Sequence, residues 1–438
     1  MIQTNVIHTN VIHVQIPGMF TTVQDLGRYG YGPLGVSPSG AADPISLRIG
    51  NLLVGNPENT AALEMTLLGG TFLFPDGGVV ALAGSDFGPM LSTLPSSPTR
   101  QGGGTLPGDD LLPSSPTRQG GGTLPGDDLL PSSPTRQGGG TLPGGDLLPS
   151  SPTRQGGGSL PGDDLLPSSP TRQGGGSLPG DDLLPSSPTR QGGGSLPIPM
   201  HTAFDIPPGG ILKTGPSRNG ARCYLCVTGG IAVRPLLGSA STHILTGLGG
   251  FEGRALRKGD VLDVGQGHAP PVRAIDVGQG HALPTHTIDA DTLAKLARRK
   301  ALRTTIAPQT DWFSADSLRF FYESAYTVSE ESNRMGLRLQ GPVIETPRTN
   351  APHQGQMTSE GVSLGAIQIP AGGQPIILFV EQQTTGGYPK IANIISADLP
   401  SIGQLRPRDQ IRFELVTPET ARALILEQEA LISKCTST

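Results

Sequence analysis

At 438 residues, with 31 Lys and Arg against 36 Asp and Glu, the chain carries a formal charge of −5 and is long enough for two domains of ordinary size. One repeat tract holds six Arg and nine Asp, so most of that charge lies there and the remainder is close to neutral. That balance predicts neither a basic patch for nucleic acid nor a Lys/Arg cluster for an anionic membrane surface, and no run approaches the ~18 apolar residues of a membrane span.

The chain opens with a small tandem duplication, TNVIH at Thr4–His8 and Thr9–His13. It has no basic segment leading into an apolar core, so no secretory signal is expected. Phe20–Arg28 (FTTVQDLGR) begins the globular part. Asp43 and Pro44 form an N-cap and a first helical residue, Ile45, Ile49, Leu52 and Leu53 make an apolar stripe, and Gly55-Asn56-Pro57 stops the helix. Glu64–Thr71 and Val79–Gly84 read as strands. Asp86–Leu91 then runs into an 18-residue unit, PSSPTRQGGGTLPGDDLL, repeated from Pro95 to Pro197. Each unit is dominated by Pro, Gly and Ser, with little apolar surface to stack, so 95–197 reads as a disordered insertion rather than a solenoid. Strand-like character resumes at Ile198–Phe204, which places the insertion in a β-hairpin loop. Closing a hairpin through ~100 residues instead of ~4 costs only about 3 kcal/mol.

Beyond it, Ala221–Thr228 reads as a strand carrying Cys223 and Cys226. Residues three apart on a strand point to opposite faces, so this CxxC suits two buried thiols better than a zinc site. No metal site is expected, and the cysteine usage fits a soluble, reducing, cytoplasmic protein. A second duplication, DVGQGHA at Asp263–Ala269 and Asp276–Ala282, lies in a loop, and Asp291–Arg303 reads as a short basic helix between two halves. The second half holds a helix at Ala315–Ser324, a strand at Leu405–Leu415 and a final helix capped by Thr417. Many short strands, abundant turns and few helices predict a mainly β, barrel-like fold.

The stretch Pro375–Leu399 is the richest in chemistry. An apolar run, Ile376–Val380, and a second one through Ile391, Ile394 and Ile395 read as the strands of a hairpin, with Gly386 and Gly387 supplying the turn. The connection also carries Gln383, Thr384, Thr385, Tyr388 and Lys390. Hydroxyls, backbone N–H groups and an ammonium so close together suit a carboxylate or phosphate. A decorated turn with a solvated lysine accounts for the same residues, and both readings stand. Glu64, amid apolar residues, requires a partner if buried. Asp25 and Arg28 read either as an ion pair or as a cleft edge.

The motif Gln383–Ala392 (QTTGGYPKIA) resembles the signature of the biotin-dependent carboxyltransferase family, which includes the C-type subunit of bacterial 5-oxoprolinase, KipA, allophanate hydrolase subunit 2 and part of urea amidolyase. Phe20–Arg28, Gly35–Asp43, Asn51–Pro57, Leu237–Thr242, Gly249–Asp260, Ser332–Gly341 and Ser359–Pro370 resemble it too, in the right order. The resemblance implies two cyclophilin-like β-barrel halves with a few short helices. It divides the chain into 14–94 with 198–288, a linker helix at 289–304, and 305–438. It implies a subunit of an ATP-dependent 5-oxoprolinase that turns 5-oxo-L-proline into L-glutamate with B-type (KipI-like) and A-type (LamB/YcsF-like) subunits. ATP would be used by the complex, since this chain shows no phosphate loop. The alternatives are carboxyl transfer from biotin to urea or a similar amide, and a non-catalytic KipA-like protein that antagonises a kinase inhibitor. Lys390 and Glu360 are the expected catalytic residues. Gln383, Thr384, Thr385, Gly386, Gly387, Tyr388, Gln24, Asp25, Arg28, Ser359 and Gln368 are expected to bind substrate. The chain departs from the family pattern at Ile306-Ala307-Pro308-Gln309, at Glu381 in place of Asp, and in the repeat.

Overall fold

The computed structural model describes residues 10–93, 195–267, 287–346 and 356–435. The repeat units up to residue 194, and with them most of the expected disordered insertion, lie outside the described residues, as does the second DVGQGHA copy.

The first half contains β1 (Val11–Ile16), β2 (Phe20–Gln24), α1 (Pro44–Leu53), β3 (Ala62–Thr66), β4 (Thr71–Phe74), β5 (Gly78–Gly84), β6 (Met90–Thr93), β7 (Leu196–Pro197), β8 (Ala203–Ile206), β9 (Gly210–Lys213), β10 (Arg222–Val227) and β11 (Val261–Asp263). They pair as two sheets, β11-β1-β4-β9-β6-β7 and β2-β3-β10-β5-β8. The sheets enclose one core. In β1 the alternation sends Ile12 and Val14 inward, and Phe72, Leu82, Phe204 and Leu212 meet them from other strands. This half is therefore two facing sheets around a common core.

Strand β10 is buried on both faces from Cys223 onward, which explains its unbroken apolar run CYLCV. Cys223 and Leu225 face the core between the sheets, while Tyr224 and Cys226 face a second core under α1. The two thiols point opposite ways, as the strand period requires, and burial pushes both thiols up. Helix α1 starts where expected: Asp43 accepts from the Ser46 N–H at 3.1 Å and Pro44 takes the first turn.

Met90 and Leu91 pair with Pro197 and Leu196, so the insertion does occupy the loop of a hairpin. Its boundary needs a correction. Leu196 and Pro197, assigned to the disordered tract by composition, are the strand β7, because the sheet edge at β6 offers a ladder to whatever chain returns there.

The second half follows α2 (Ala290–Leu296) with β12 (Ala301–Ile306), α3 (Ala315–Glu323), β13 (Tyr326–Val328), β14 (Gly336–Gln340), β15 (Glu360–Gly361), β16 (Ala366–Gln368), β17 (Ile376–Leu378), β18 (Thr385–Gly386), β19 (Lys390–Ile394), α4 (Leu399–Gly403), β20 (Gln410–Leu415) and α5 (Pro418–Lys434). Seven of these strands close into a barrel in the order β12-β19-β16-β17-β14-β13-β20, sealed by the parallel pair β12–β20. Phe321 of α3 stacks on Phe413 of β20, centroids 4.6 Å apart, to plug one side of the core.

Two expectations fail here. The linker helix of 289–304 ends at Leu296, and 301–304 already belong to the barrel, because ALRTTI alternates with period two and buries Leu302 and Thr304. The hairpin of Pro375–Leu399 does not exist. Strands β17 and β19 are held apart by β16, whose Ile367 lies opposite Ile377 on one side and Ala392 on the other. The connection between them passes over the end of β16 and adds the short pair β15–β18. Among the described residues no helix is long and apolar enough to cross a membrane.

Candidate functional site

Because β16 sits between β17 and β19, the register sets Gln368 opposite Lys390. The Lys390 side chain is only 3% exposed, whereas the Glu360 side chain, its ion-pair partner, is 40% exposed. Gln309 completes the arrangement: its Nε2 donates to the same Glu360 oxygen at 3.0 Å, and its Oε1 accepts from the Lys390 backbone N–H at 3.3 Å. A buried ammonium needs a counter-charge, and Glu360 supplies it from the solvent side. In return the Lys390 hydrogen bond, resisted by desolvation and aided by Gln309, holds the Glu360 carboxyl below its ordinary value.

Gly386 and Gly387 were expected to supply positive φ to a turn, yet neither is among the residues with positive φ. They serve close approach. A Cβ on Gly386 would fall 2.5 Å from Gln368 Nε2, and one on Gly387 would meet the Met357 carbonyl at 3.0 Å and Ser359 Oγ at 3.2 Å. Gln368 is fully buried and its Nε2 has no hydrogen-bond partner. An unmatched amide donor of this kind usually costs about 1–3 kcal/mol, and here it lies on the Gly386 backbone beside Lys390. Gln383 and Thr385 are exposed, Thr384 and Tyr388 are half-buried, and none of their side chains bonds a described residue. The fold thus brings Lys390, Glu360, Ser359, Gln368, Gly386 and Gly387 together, with the polar residues 383–385 on the adjoining surface.

Gln24, Asp25 and Arg28 form a second group in the first half, all buried. The two charged side chains do not make the direct ion pair entertained above. The Asp25 carboxylate is instead surrounded by donors: the Gly27 N–H at 2.8 Å, Ser239 Oγ and the Ala240 N–H at 2.6 Å, and Ser241 Oγ at 2.5 Å. Arg28 donates to the Ser241 and Leu236 carbonyls and leaves Nη1 unmatched, and burial lowers its pKa against the pull of Asp25 and Glu381. Gln24 donates to Thr22 Oγ1 and the Thr242 carbonyl.

Among the described residues no side-chain bond joins this group to Lys390; the chain itself makes the link. The Val380 carbonyl accepts from the Ser39 N–H at 2.8 Å, and Glu381 accepts from Arg334 Nε at 2.5 Å. Arg334 reaches across to Glu64 Oε1 at 2.5 Å, and the other Glu64 oxygen takes the Tyr224 hydroxyl and the Ala42 N–H. Glu64 therefore has the partner its burial demands. Burial works to lower the pKa of Arg334, but Glu64 and Glu381 more than offset it and the net shift is upward.

The sequence profile described as "Carboxyltransferase domain, subdomain A and B" matches residues 34–119 and 185–415. This chain belongs to that carboxyltransferase-domain family. It is similar to the C-type subunit of 5-oxoprolinase from Escherichia coli, 30% identical over 92% of this chain and 91% of the relative. Its Haemophilus influenzae counterpart is 26% identical over 94% of each chain. Among solved structures, the Kluyveromyces lactis urea amidolyase superposes with a TM-score of 0.63 at 25% identity, over 98% of this chain but 20% of that one.

Within the carboxyltransferase-domain frame, the site residue that sequence reasoning missed is Gln309. It lies in the loop after β12, at the end of the Ile306–Gln309 stretch, and acts through bonds to residues far along the chain, which local pattern does not show. Arg334 lies in the Ser332–Gly341 stretch, and the buried acid at position 64 already implies a cation, which Arg334 supplies.

Proposed function

We propose that this carboxyltransferase-domain chain is the C-type subunit of an ATP-dependent 5-oxoprolinase, opening the lactam of 5-oxo-L-proline to L-glutamate with B-type (KipI-like) and A-type (LamB/YcsF-like) subunits. The reading is carried by the similarity to the C-type subunit from Escherichia coli over nine-tenths of both chains. The Lys390 group supplies chemistry that suits it. In lactam hydrolysis an oxygen from water bonds to the carbonyl carbon, the C–N bond breaks, and the released nitrogen takes a proton. Lys390 and the unmatched Gln368 N–H are donors for the oxygen that gathers negative charge, and the partly exposed Glu360 can accept the proton of water at Oε2 while Oε1 stays on Lys390. Gln383, Thr384, Thr385, Ser359 and Tyr388 would hold the ring amide and carboxylate. One ammonium already paired with Glu360 does not suit a triphosphate, so ATP is used away from this group.

The test is glutamate formation from 5-oxoproline and ATP by the co-expressed three-subunit complex. Lys390→Ala is expected to lower the rate by about 100-fold or more while the complex still assembles. Unchanged activity would remove Lys390 from the site. A well-assembled complex with no activity would shift the reading to the second one, biotin-dependent carboxyl transfer to urea or a similar amide. That alternative is favoured by the superposition on urea amidolyase over 98% of the chain. The Gln368 N–H would then face a ureido oxygen. A KipA-like chain without catalysis would show the same assembly and no dependence on Lys390 in either assay.

A further inference from the structure

The linker between the halves crosses over two cavities that none of the candidate site residues lines. One, of about 550 Å³, lies between α2, the start of β12 and α5. The other, of about 290 Å³, lies under α2 against α1 and the β5 end. Ile45, Leu296, Ala297, Arg298, Pro400 and Ser401 line both, so the two chambers share a wall. Each is within or near the ~300–1,000 Å³ of ordinary small-molecule sites.

The larger chamber is cationic although the chain as a whole is acidic. Lys295, Arg298, Arg299, Lys300 and Arg303 line it, against Asp398 and Glu427. Two of the cations are already committed. Arg303 grips the fully buried Asp398, and Arg298 bonds Asp409 at 2.9 Å and the Gln404 carbonyl at 3.0 Å. Arg299 donates through Nε to the Ala301 carbonyl at 3.2 Å, and its acidic partners are loose, Asp398 at 3.9 Å and Glu414 at 3.5 Å, so part of its guanidinium remains available. Lys295 and Lys300 make no ion pair among the described residues. Three cations are thus open to a ligand, and Leu296, Leu424 and Leu431 give the chamber an apolar wall.

The smaller chamber is mixed, with Ile45, Ile49 and Leu293 beside polar groups, and nearly neutral. His201 lines it, with its Nε2 accepting from the Gly84 N–H at 3.1 Å. That bond fixes the proton on Nδ1, a donor with no acceptor among the described residues. Most other polar groups in this chamber already have partners, such as Asp43 with Ser46 and Gln404.

We propose that this double cleft binds a small phosphorylated molecule. Its phosphoryl oxygens sit on Arg299, Lys300 and Lys295, and its uncharged polar body enters the smaller chamber beside His201. A planar guanidinium with two ammoniums suits a multiply charged oxyanion. A second chamber of this size suits a small body better than a length of acidic peptide. The inference is independent of the activity proposed above, because the Lys390 group takes no part in either wall.

Calorimetric titration of the full chain with inorganic phosphate, pyrophosphate and AMP tests it. Pyrophosphate and AMP are expected to bind at low ionic strength, with AMP tighter than phosphate because its body fills the second chamber. Both should weaken sharply near 1 M salt, where charges more than about 3 Å apart are screened. The exposed double change Arg299→Glu with Lys300→Glu should cost about tenfold or more in affinity for both probes. His201→Asn tolerates the left-handed backbone at φ 55° and should weaken AMP while sparing pyrophosphate. Ligand should also slow hydrogen exchange in α2. No binding, binding untouched by the double change, or displacement by sulfate as readily as by pyrophosphate would each overturn the proposal. So would tight binding of an acidic peptide with none of AMP.

Discussion

Lys390 and Glu360 differ in a way that assigns them different parts. The cation is buried and held by strand register, whereas the acid is accessible to solvent. Because the folded-state carboxyl of Glu360 is depressed, its contribution to stability is complete above the ordinary value of 4.5 and is lost as pH falls through the lower folded value. Half-exposure and screening keep that contribution under about 1 kcal/mol. Urea unfolding across this pH range should therefore show native and Glu360→Gln curves separated above 4.5 and converging below it. Arg334 is a stronger case. Changing it to Met leaves Glu381 buried without its cation and Glu64 with only the looser Arg222 guanidinium at 3.9 Å, and a loss of about 3–5 kcal/mol is expected in denaturant unfolding. A loss below about 1 kcal/mol would mean that Arg222, Tyr224 and the backbone suffice for Glu64.

At the scale of elements, periodicity located the strands but not their neighbours. The runs at Ile376 and Ile391 are both real strands, and each is apolar enough to pair with the other. Ala366–Gln368 is buried on all sides and is inserted between them, a choice that depends on barrel closure and leaves no mark in either run. Helix α5 shows the reverse, a segment readable from its cap whose docking is decided elsewhere. Thr417 caps it as expected, but of its residues Ile432 is the one fully buried, in the core under α1, and Glu429 clasps Arg48. Ile432→Ala should cost about 2–5 kcal/mol and speed hydrogen exchange along α5. Leu426→Ala, at a residue 58% exposed, should stay within about 0.5 kcal/mol. Equal effects would mean that the helix docks otherwise.

Over the whole molecule, the halves are joined by buried polar contacts as well as by apolar ones. Gln404 of the second half accepts from the Ala221 and Arg222 N–H groups at 3.0 Å and donates to Asp43 at 2.7 Å. Gly403 is required there, since a Cβ would collide with the Ala42 carbonyl. The repeat enters this body through the single antiparallel pair β6–β7. Replacing residues 95–194 with a short turn should therefore leave the fold intact and raise stability by about 3 kcal/mol or less, the loop-closure difference. Guanidinium unfolding of both forms measures it, and a destabilised deletion would show that the repeat units contribute to the folded body.

Chain order, composition and local pattern by themselves determined the mainly β class, the position of the insertion in a hairpin, the caps of α1 and α5, and the opposed faces of Cys223 and Cys226. These follow from periods of two and 3.6 and from turn chemistry, which act over a few residues. Tertiary structure alone decided that β16 parts the two central strands and that glycines 386 and 387 serve packing. It also brought Gln309 to Lys390 and Arg334 to Glu64. Those contacts join residues 81 and 270 positions apart, and their energy comes from burying charge in a place that exists only once the sheets have closed.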